Sequence, residues 1–349
     1  MNKTTLLPQR KNYKKLLVIM LFIISVNSIN GQSYRSQRSY VDDFGRNELF
    51  VKESLAEYSK SIVNSISEER TENTLKIIYL KLEKINSILL KNDKGLNGDL
   101  TLRDAFISLN SKTISLFKSK TLRLNDYKEL SALSIEEIDE VFKRKESEIE
   151  DYYAEVLNFE KMKREFGLKY DIKIRSSIRK NILEYNAMEN LLFYKINVID
   201  EKLINLINQN KSEEIFSCIT YLNTISDDAL IKVETYKTEV TDTSLNTANK
   251  QFIEYMKINN GSLYSYYVQF DKLNTELQKM KLDSAGVSDE QYNATVRNFN
   301  NVKNIYYSAF DLIQSKKQSV INKWYVSNSN FLKNNIQFEN NYERYTDID

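Results

Sequence analysis

The chain has 349 residues, 41% of them hydrophobic and 28% charged, with 50 Lys and Arg against 48 Asp and Glu, which is the composition of a globular protein. It has no histidine and one cysteine, which removes Ser-His-Asp and Cys-His catalysis and the Glu-x-x-His ligands of di-iron bundles, rules out an internal disulfide and argues against zinc. One proline, Pro8, and seven glycines leave few of the residues that tight turns use, so an all-α fold is expected.

Residues 1–31 read as a signal peptide. Lys3, Arg10, Lys11, Lys14 and Lys15 form a positive region, Leu16–Val26 is an apolar stretch too short to span a membrane, and cleavage is expected before Gln32. No cysteine stands there, so no lipid attachment is expected. Without these residues 45 basic side chains face 48 acidic ones, a net charge of −3. An exported chain that is nearly neutral lacks the footprint of a nucleic-acid binder.

Residues 32–45 are polar, end at Gly45 and read as a flexible lead-in. A first bundle is expected over 46–166. Its first helix runs from about Asn47 to Glu69 through Leu55, Tyr58, Ile62, Val63 and Ile66. The second runs from about Glu72 to Lys91 through Leu75, Ile78, Leu82, Ile85 and Leu89. Asn92–Gly98 is a loop, Thr101 starts a third helix, and the fourth begins at Ser134-Ile-Glu-Glu137, a capping-box pattern. Its stripe is Ile138, Phe142, Ile149, Tyr152, Val156, Phe159 and Phe166, broken by Lys145 and Lys163, and Gly167 is expected to close it in a left-handed conformation. Residues 167–177 form a linker, 178–330 a second bundle and 331–349 a fraying tail rich in asparagine.

The second bundle repeats the first. Shifted by 154, Ser134–Phe166 meets Ser288–Val320, with Tyr152-Tyr153 on Tyr306-Tyr307 and a second stripe of Tyr292, Val296, Phe299, Tyr306, Phe310, Ile313 and Val320. Shifted by 143, Asp99–Ala105 meets Asp242–Ala248; shifted by 141, Ile62, Ile66, Leu75 and Ile78 meet Leu203, Ile207, Phe216 and Ile219. Two tandem, internally duplicated antiparallel helical bundles of about four helices each are therefore expected.

The Gly98-Asp99-Leu-Thr-Leu-Arg-Asp-Ala105 segment, the acidic fourth helix with Tyr152-Tyr153, and Phe159…Phe166-Gly167-Leu-Lys-Tyr170 resemble a leptospiral-type surface-protein family also found in exported proteins of Bacteroidetes. The resemblance implies an exported helical protein and no catalytic activity.

No residues are singled out as catalytic, cofactor-binding or metal-binding, and no cofactor is expected. The carboxylates Glu136, Glu137, Asp139, Glu140, Glu146, Glu148, Glu150 and Asp151 are expected to form a solvated face. Asp93, Asn97 and Asp99 could offer oxygens to calcium, but the spacing favours turn and cap duty. Cys218 is expected to be a buried small hydrophobe. Tyr264, Tyr266 and Tyr267 form the densest aromatic cluster, and Asn210, Asn260 and Asn293 head glycosylation sequons. The reading is an exported, non-enzymatic surface or periplasmic protein with a binding or structural role. Its partner is a protein or envelope component, with no nucleic acid and no transmembrane segment in the mature chain. The competing readings are a histidine-independent carboxylate enzyme in the cleft between repeats and a membrane-active helical protein.

Overall fold

The computed structural model describes residues 36–63, 68–119, 126–174, 182–209, 211–238, 240–282 and 286–342. Among them are nine helices: α1 Gln37–Val63, α2 Glu68–Asn92, α3 Thr101–Lys118, the short α4 Tyr127–Leu130, α5 Ile135–Lys169, α6 Ile182–Asn208, α7 Ser212–Tyr236, α8 Ser244–Leu282 and α9 Asp289–Tyr342. The only β pairing among the described residues is a single bridge between Leu96 and Asp99. The fold is all-α. The expected signal peptide lies outside the described residues.

The chain folds as expected where a local signal and a stripe agree. Ser134 accepts a bond from the Glu137 N–H and Glu137 Oε2 accepts one from the Ser134 N–H, which closes the capping box of α5. Ser288 and Gln291 do the same at the start of α9, at 3.2 and 3.3 Å. The α2 stripe of Leu75, Ile78, Leu82, Ile85 and Leu89 is buried throughout.

Several boundaries differ. Residues 37–45 are not a lead-in but the first turns of α1. Tyr40, Val41 and Phe44 are fully buried and continue, at helical spacing, the stripe of Val51, Leu55 and Tyr58; Gly45 sits inside the helix. Gly167 does not end α5. It is buried within the helix because a Cβ there would meet Ile172 O at 2.8 Å and Ile174 Cδ1 at 2.7 Å. The left-handed residue is Asp171, φ 54°, and the Ile172 N–H bonds back to Gly167 O at 2.8 Å, the wrapping that terminates many helices. Of the expected linker, residues 167–169 are helical, 172–174 lie outside any helix, and 175–177 fall outside the described residues. The tail also differs, because α9 runs on to Tyr342 and buries Phe331 and Leu332.

Helices α1, α2, α3 and α5 pack as one four-helix bundle and α6–α9 as another, while α5 and α4 pack on α6, and α9 on α1. One continuous apolar core runs through both. The seam between the halves is a packed interface, not an open cleft: Lys195 and Lys232 clamp Glu146 from α6 and α7, Tyr221 donates to Asp139 at 2.7 Å, and Tyr194 donates to Asp126 at 2.5 Å.

Four helices of each half follow in the same order, α1, α2, α3 and α5 against α6 to α9, while the short α4 has no counterpart among the described residues, and the expected offsets fit unequally. Asp99 and Asp242 occupy the same place, each two residues before its helix and each accepting from the next residue but one, Thr101 N–H and Ser244 N–H, at 3.0 Å. The offset of 143 fits this geometry. The offset of 141 does not: Leu75 is buried, but Phe216 is 60% exposed. An offset of 144 instead pairs Leu75, Ile78, Leu82, Ile85 and Leu89 with Ile219, Leu222, Ser226, Ala229 and Val233, all buried. For the fourth helix the matching offset is 165 and not 154. Phe166 packs on Tyr40, the fourth residue of α1, and Phe331 on Tyr185, the fourth residue of α6. Tyr170 and Asn335 then donate to Asp99 and Asp242 at 3.0 and 2.8 Å. The difference of eleven residues is about three helical turns, which returns a stripe to the same face. The apolar pattern looks the same in either register, and α9 starts three turns farther from the shared core.

Candidate functional site

Among the described residues, four of the seven buried charged side chains, Glu48, Lys163, Glu189 and Asp200, belong to three clusters inside the helices. In the first bundle Lys163, at a stripe position, sends its ammonium to both oxygens of Glu48 at 3.0 and 3.2 Å and to Glu160 at 2.7 Å, and Lys52 approaches Glu48 at 3.1 Å. Burial pushes the Glu48 carboxyl up, but the charges of Lys163 and Lys52 outweigh it and hold the group down at about 2. Lys145, the other lysine of that stripe, is also buried, 3.8 Å from Asp126 and over the ring of Tyr194.

In the second bundle the place of Lys163 is taken by Asn328. Its amide donates to Asn190 at 2.6 Å and accepts from Asn186 at 2.7 Å, while Asn190 donates to Asn186 at 3.1 Å, so three buried amides close a ring. Beside them Glu189, fully buried, accepts from Asn246 at 3.0 Å and from Asn249, which accepts in turn from Trp324 Nε1 at 2.8 Å. A third cluster joins Asp200 of α6 to Lys317 at 2.6 Å and Asn260 at 3.1 Å. Each cluster lies within the helix packing, with Glu160 and Lys317 partly open to solvent, and its carboxylates tie helices together. Sequence reasoning had passed over Glu48, Glu189 and Asp200. The available signal was a lysine on an apolar stripe, which calls for a buried acid.

The expected candidates fall as follows. Asp93 accepts from Gly95 N–H at 2.7 Å and Tyr40 OH at 3.3 Å, and burial raises its carboxyl above the ordinary value. Asp99 accepts from Thr101, Tyr170 and, at 2.7 Å, Lys169; the bonds from Lys169 and Thr101 hold it well below the ordinary value. Both carboxylates are thus used in tying α1, α3 and the end of α5 to one loop, as turn and cap duty requires. Asn97 is left-handed, φ 53°. No group of acidic and cysteine ligands able to hold a metal occurs among the described residues.

Of the eight acidic residues expected to form the solvated face of α5, Glu136, Glu137, Glu140, Glu150 and Asp151 are exposed. Asp139 and Glu146 instead bridge to the second bundle, so the face is solvated only in part. Cys218 is fully buried, its Sγ 3.7 Å from Ile199 O, and burial pushes its thiol up to about 12. Of the sequon asparagines, Asn293 is exposed, Asn260 is buried against Asp200 and Asn210 lies outside the described residues.

Two open grooves mark the surface. One, about 590 Å³, lies between α2 and α3 and is lined by Glu83, Asn86, Ser87, Lys91 and Ser111. The other, about 620 Å³, lies between α8 and α9 beside Thr247, Gln251, Ser319 and Lys323. The single acid among these residues, Glu83, is paired with Lys118 at 2.6 Å.

The distinctive surface is an arm. Beyond Tyr267 of α8 and before Tyr306 of α9, Leu277 is the one fully buried side chain among the described residues. Phe270 packs on Phe299 at 5.5 Å and stacks on Tyr306 at 5.3 Å, and Tyr267 lies 6.1 Å from Tyr306. The tyrosine cluster thus divides: Tyr267 enters the core, while Tyr264 is half-buried against the exposed Phe216 and Tyr266 is half-buried. The two helices leave the bundle as a hairpin held by an aromatic seam, its outer faces carrying Lys, Asn and Gln.

No family model matches the chain, and no curated protein or solved structure matches it.

Proposed function

We propose that the protein is exported, non-catalytic and built to bind or to support, at the cell surface or in the periplasm, with a protein or envelope component as partner. The observation that carries this reading is the α8–α9 arm, a long polar-sided hairpin outside the core, in a molecule whose buried carboxylates are committed to packing. The N-terminal charge and apolar pattern supports export. The matched Asp99 and Asp242 caps, the Tyr40–Phe166 and Tyr185–Phe331 contacts and the paired α2 and α7 stripes support duplication of one ancestral bundle.

A carboxylate enzyme would need an ionisable group opening on a cavity, and the packed seam between the halves offers it little room. A membrane-active role draws less support, since among the described residues no helix is long and apolar enough to cross a membrane.

N-terminal sequencing of the protein recovered from fractionated cells tests the reading. A chain beginning at Gln32 in the periplasmic, surface or culture fraction is expected. An intact Met1 chain confined to the cytoplasm would overturn it.

A further inference from the structure

We propose that the arm is a self-association surface. Two copies pair their α9 helices antiparallel about a two-fold axis at Val296, so that Asp289 of each copy meets Lys303 of the other.

The incomplete seam is the first ground. On α5 the stripe is covered by neighbouring helices: Ile138, Phe142, Ile149, Tyr152, Phe159 and Phe166 are buried and only Val156 is half-buried. The stripe on α9 is less covered: Tyr306 and Ile313 are buried, Phe310 and Val320 are half-buried against the core, and Tyr292, Val296 and Phe299 are half-open without touching it. A two-helix hairpin covers one side of such a seam, and a second hairpin would complete the four-helix arrangement that each bundle already uses.

Charge selects the occupant. Asp289, Val296 and Lys303 are spaced by seven residues and so share one face of α9, with the apolar side chain midway and opposite charges at the ends. Both charged side chains are exposed. Neighbouring charges follow the same gradient, with Glu290 toward the tip and Arg297 farther along. Antiparallel pairing about Val296 brings Asp289 to Lys303 twice, each contact about 10 Å along the axis from the two-fold. Parallel pairing would set like charges against each other. A strongly acidic or basic partner would meet one favourable end and one unfavourable one. The pattern is complementary to itself, as a two-fold interface requires.

Light scattering and sedimentation equilibrium of the purified full chain test the proposal. A mass near twice the 41.1 kDa of one chain is expected. Val296→Glu should give a single chain with unchanged helical circular dichroism. Asp289→Lys should weaken association roughly tenfold or more, and adding Lys303→Asp should restore it to within about threefold. Monomers throughout, up to roughly 100 µM, would overturn the proposal. So would a dimer that neither Val296→Glu nor Asp289→Lys disturbs, or one that the reciprocal swap fails to rescue. Another protein that binds the arm while the chain alone stays monomeric also overturns it. None of these outcomes bears on export, which the N-terminal sequence decides separately.

Discussion

Replacing Lys163 by methionine should destabilise the protein more than its position on a long helix suggests. The side chain is buried, with its ammonium 3.0 and 3.2 Å from the two oxygens of Glu48, itself buried. Lys163→Met leaves that carboxylate in the core with Lys52 at 3.1 Å as its remaining cation. Breaking a buried pair on one side costs about 3–5 kcal/mol, and the survival of Lys52 points to the lower end, about 3 kcal/mol. Joining it to Glu48→Leu removes the more buried of the two carboxylates that lose Lys163, the other being the partly exposed Glu160, and should recover most of the loss, to within about 1 kcal/mol of the parent. Urea denaturation at constant pH measures all three proteins. The pH dependence separates this cause from lost packing. In the parent Glu48 is held down at about 2 from an ordinary 4.5. Its contribution is therefore present above pH 4.5 and lost as pH falls toward 2. With Lys163 gone, burial is opposed by one cation fewer, so the group is expected to move up from its parent position and the variant to lose the parent's gain in stability above pH 4.5. A cost below about 1 kcal/mol, or no recovery in the double variant, would refute the reasoning.

Other outcomes follow from the same packing. Phe159 is fully buried and 5.7 Å from Phe106, so Phe159→Ala should cost about 3–5 kcal/mol by leaving a cavity, whereas Glu150→Ala on the exposed side of α5 should stay within about 0.5 kcal/mol. The Cys218 thiol, pushed up to about 12, should resist a thiol reagent in the native protein at pH 8 and react fully in denaturant; rapid native labelling would show that α7 is not seated as described. Chelator should leave the thermal midpoint unchanged, since Asp93 and Asp99 are satisfied by protein donors; a clear shift would mean that the loop holds a metal.

The fold class was legible because composition, capping residues and stripes agree. Thr101, Ser134 and Ser288 start or cap helices where the local pattern puts them. Boundaries were less legible where chemistry and periodicity conflict. Gly45 and the polar residues before it suggest a break, yet Tyr40, Val41 and Phe44 bury enough apolar surface to hold the helix together through them. Asparagines near the end suggest fraying, but Asn335 donates to Asp242 at 2.8 Å, a pairing across 93 residues that no local window contains. Register failed for a geometric reason. Three residues are nearly one turn and eleven nearly three, so an amphipathic stripe fits both, and only the partners across the bundle choose between them. The Glu48–Lys163 cluster spans 115 residues and was legible only as an unexplained lysine. The arm had no signal of its own, because its seam has the same periodicity as a core helix.

Hydrogen exchange of the intact protein, followed peptide by peptide by mass spectrometry, tests most directly the claim that α8 and α9 are core helices at one end and a free arm at the other. In dilute solution amides of 245–264 and 309–333 should exchange slowly, near the rate set by global unfolding, while those of 269–282 and 289–304 should exchange much faster. Uniform slow exchange along both helices in dilute solution would contradict the account. It would place the arm inside a core, where neither a binding role nor self-pairing could use it.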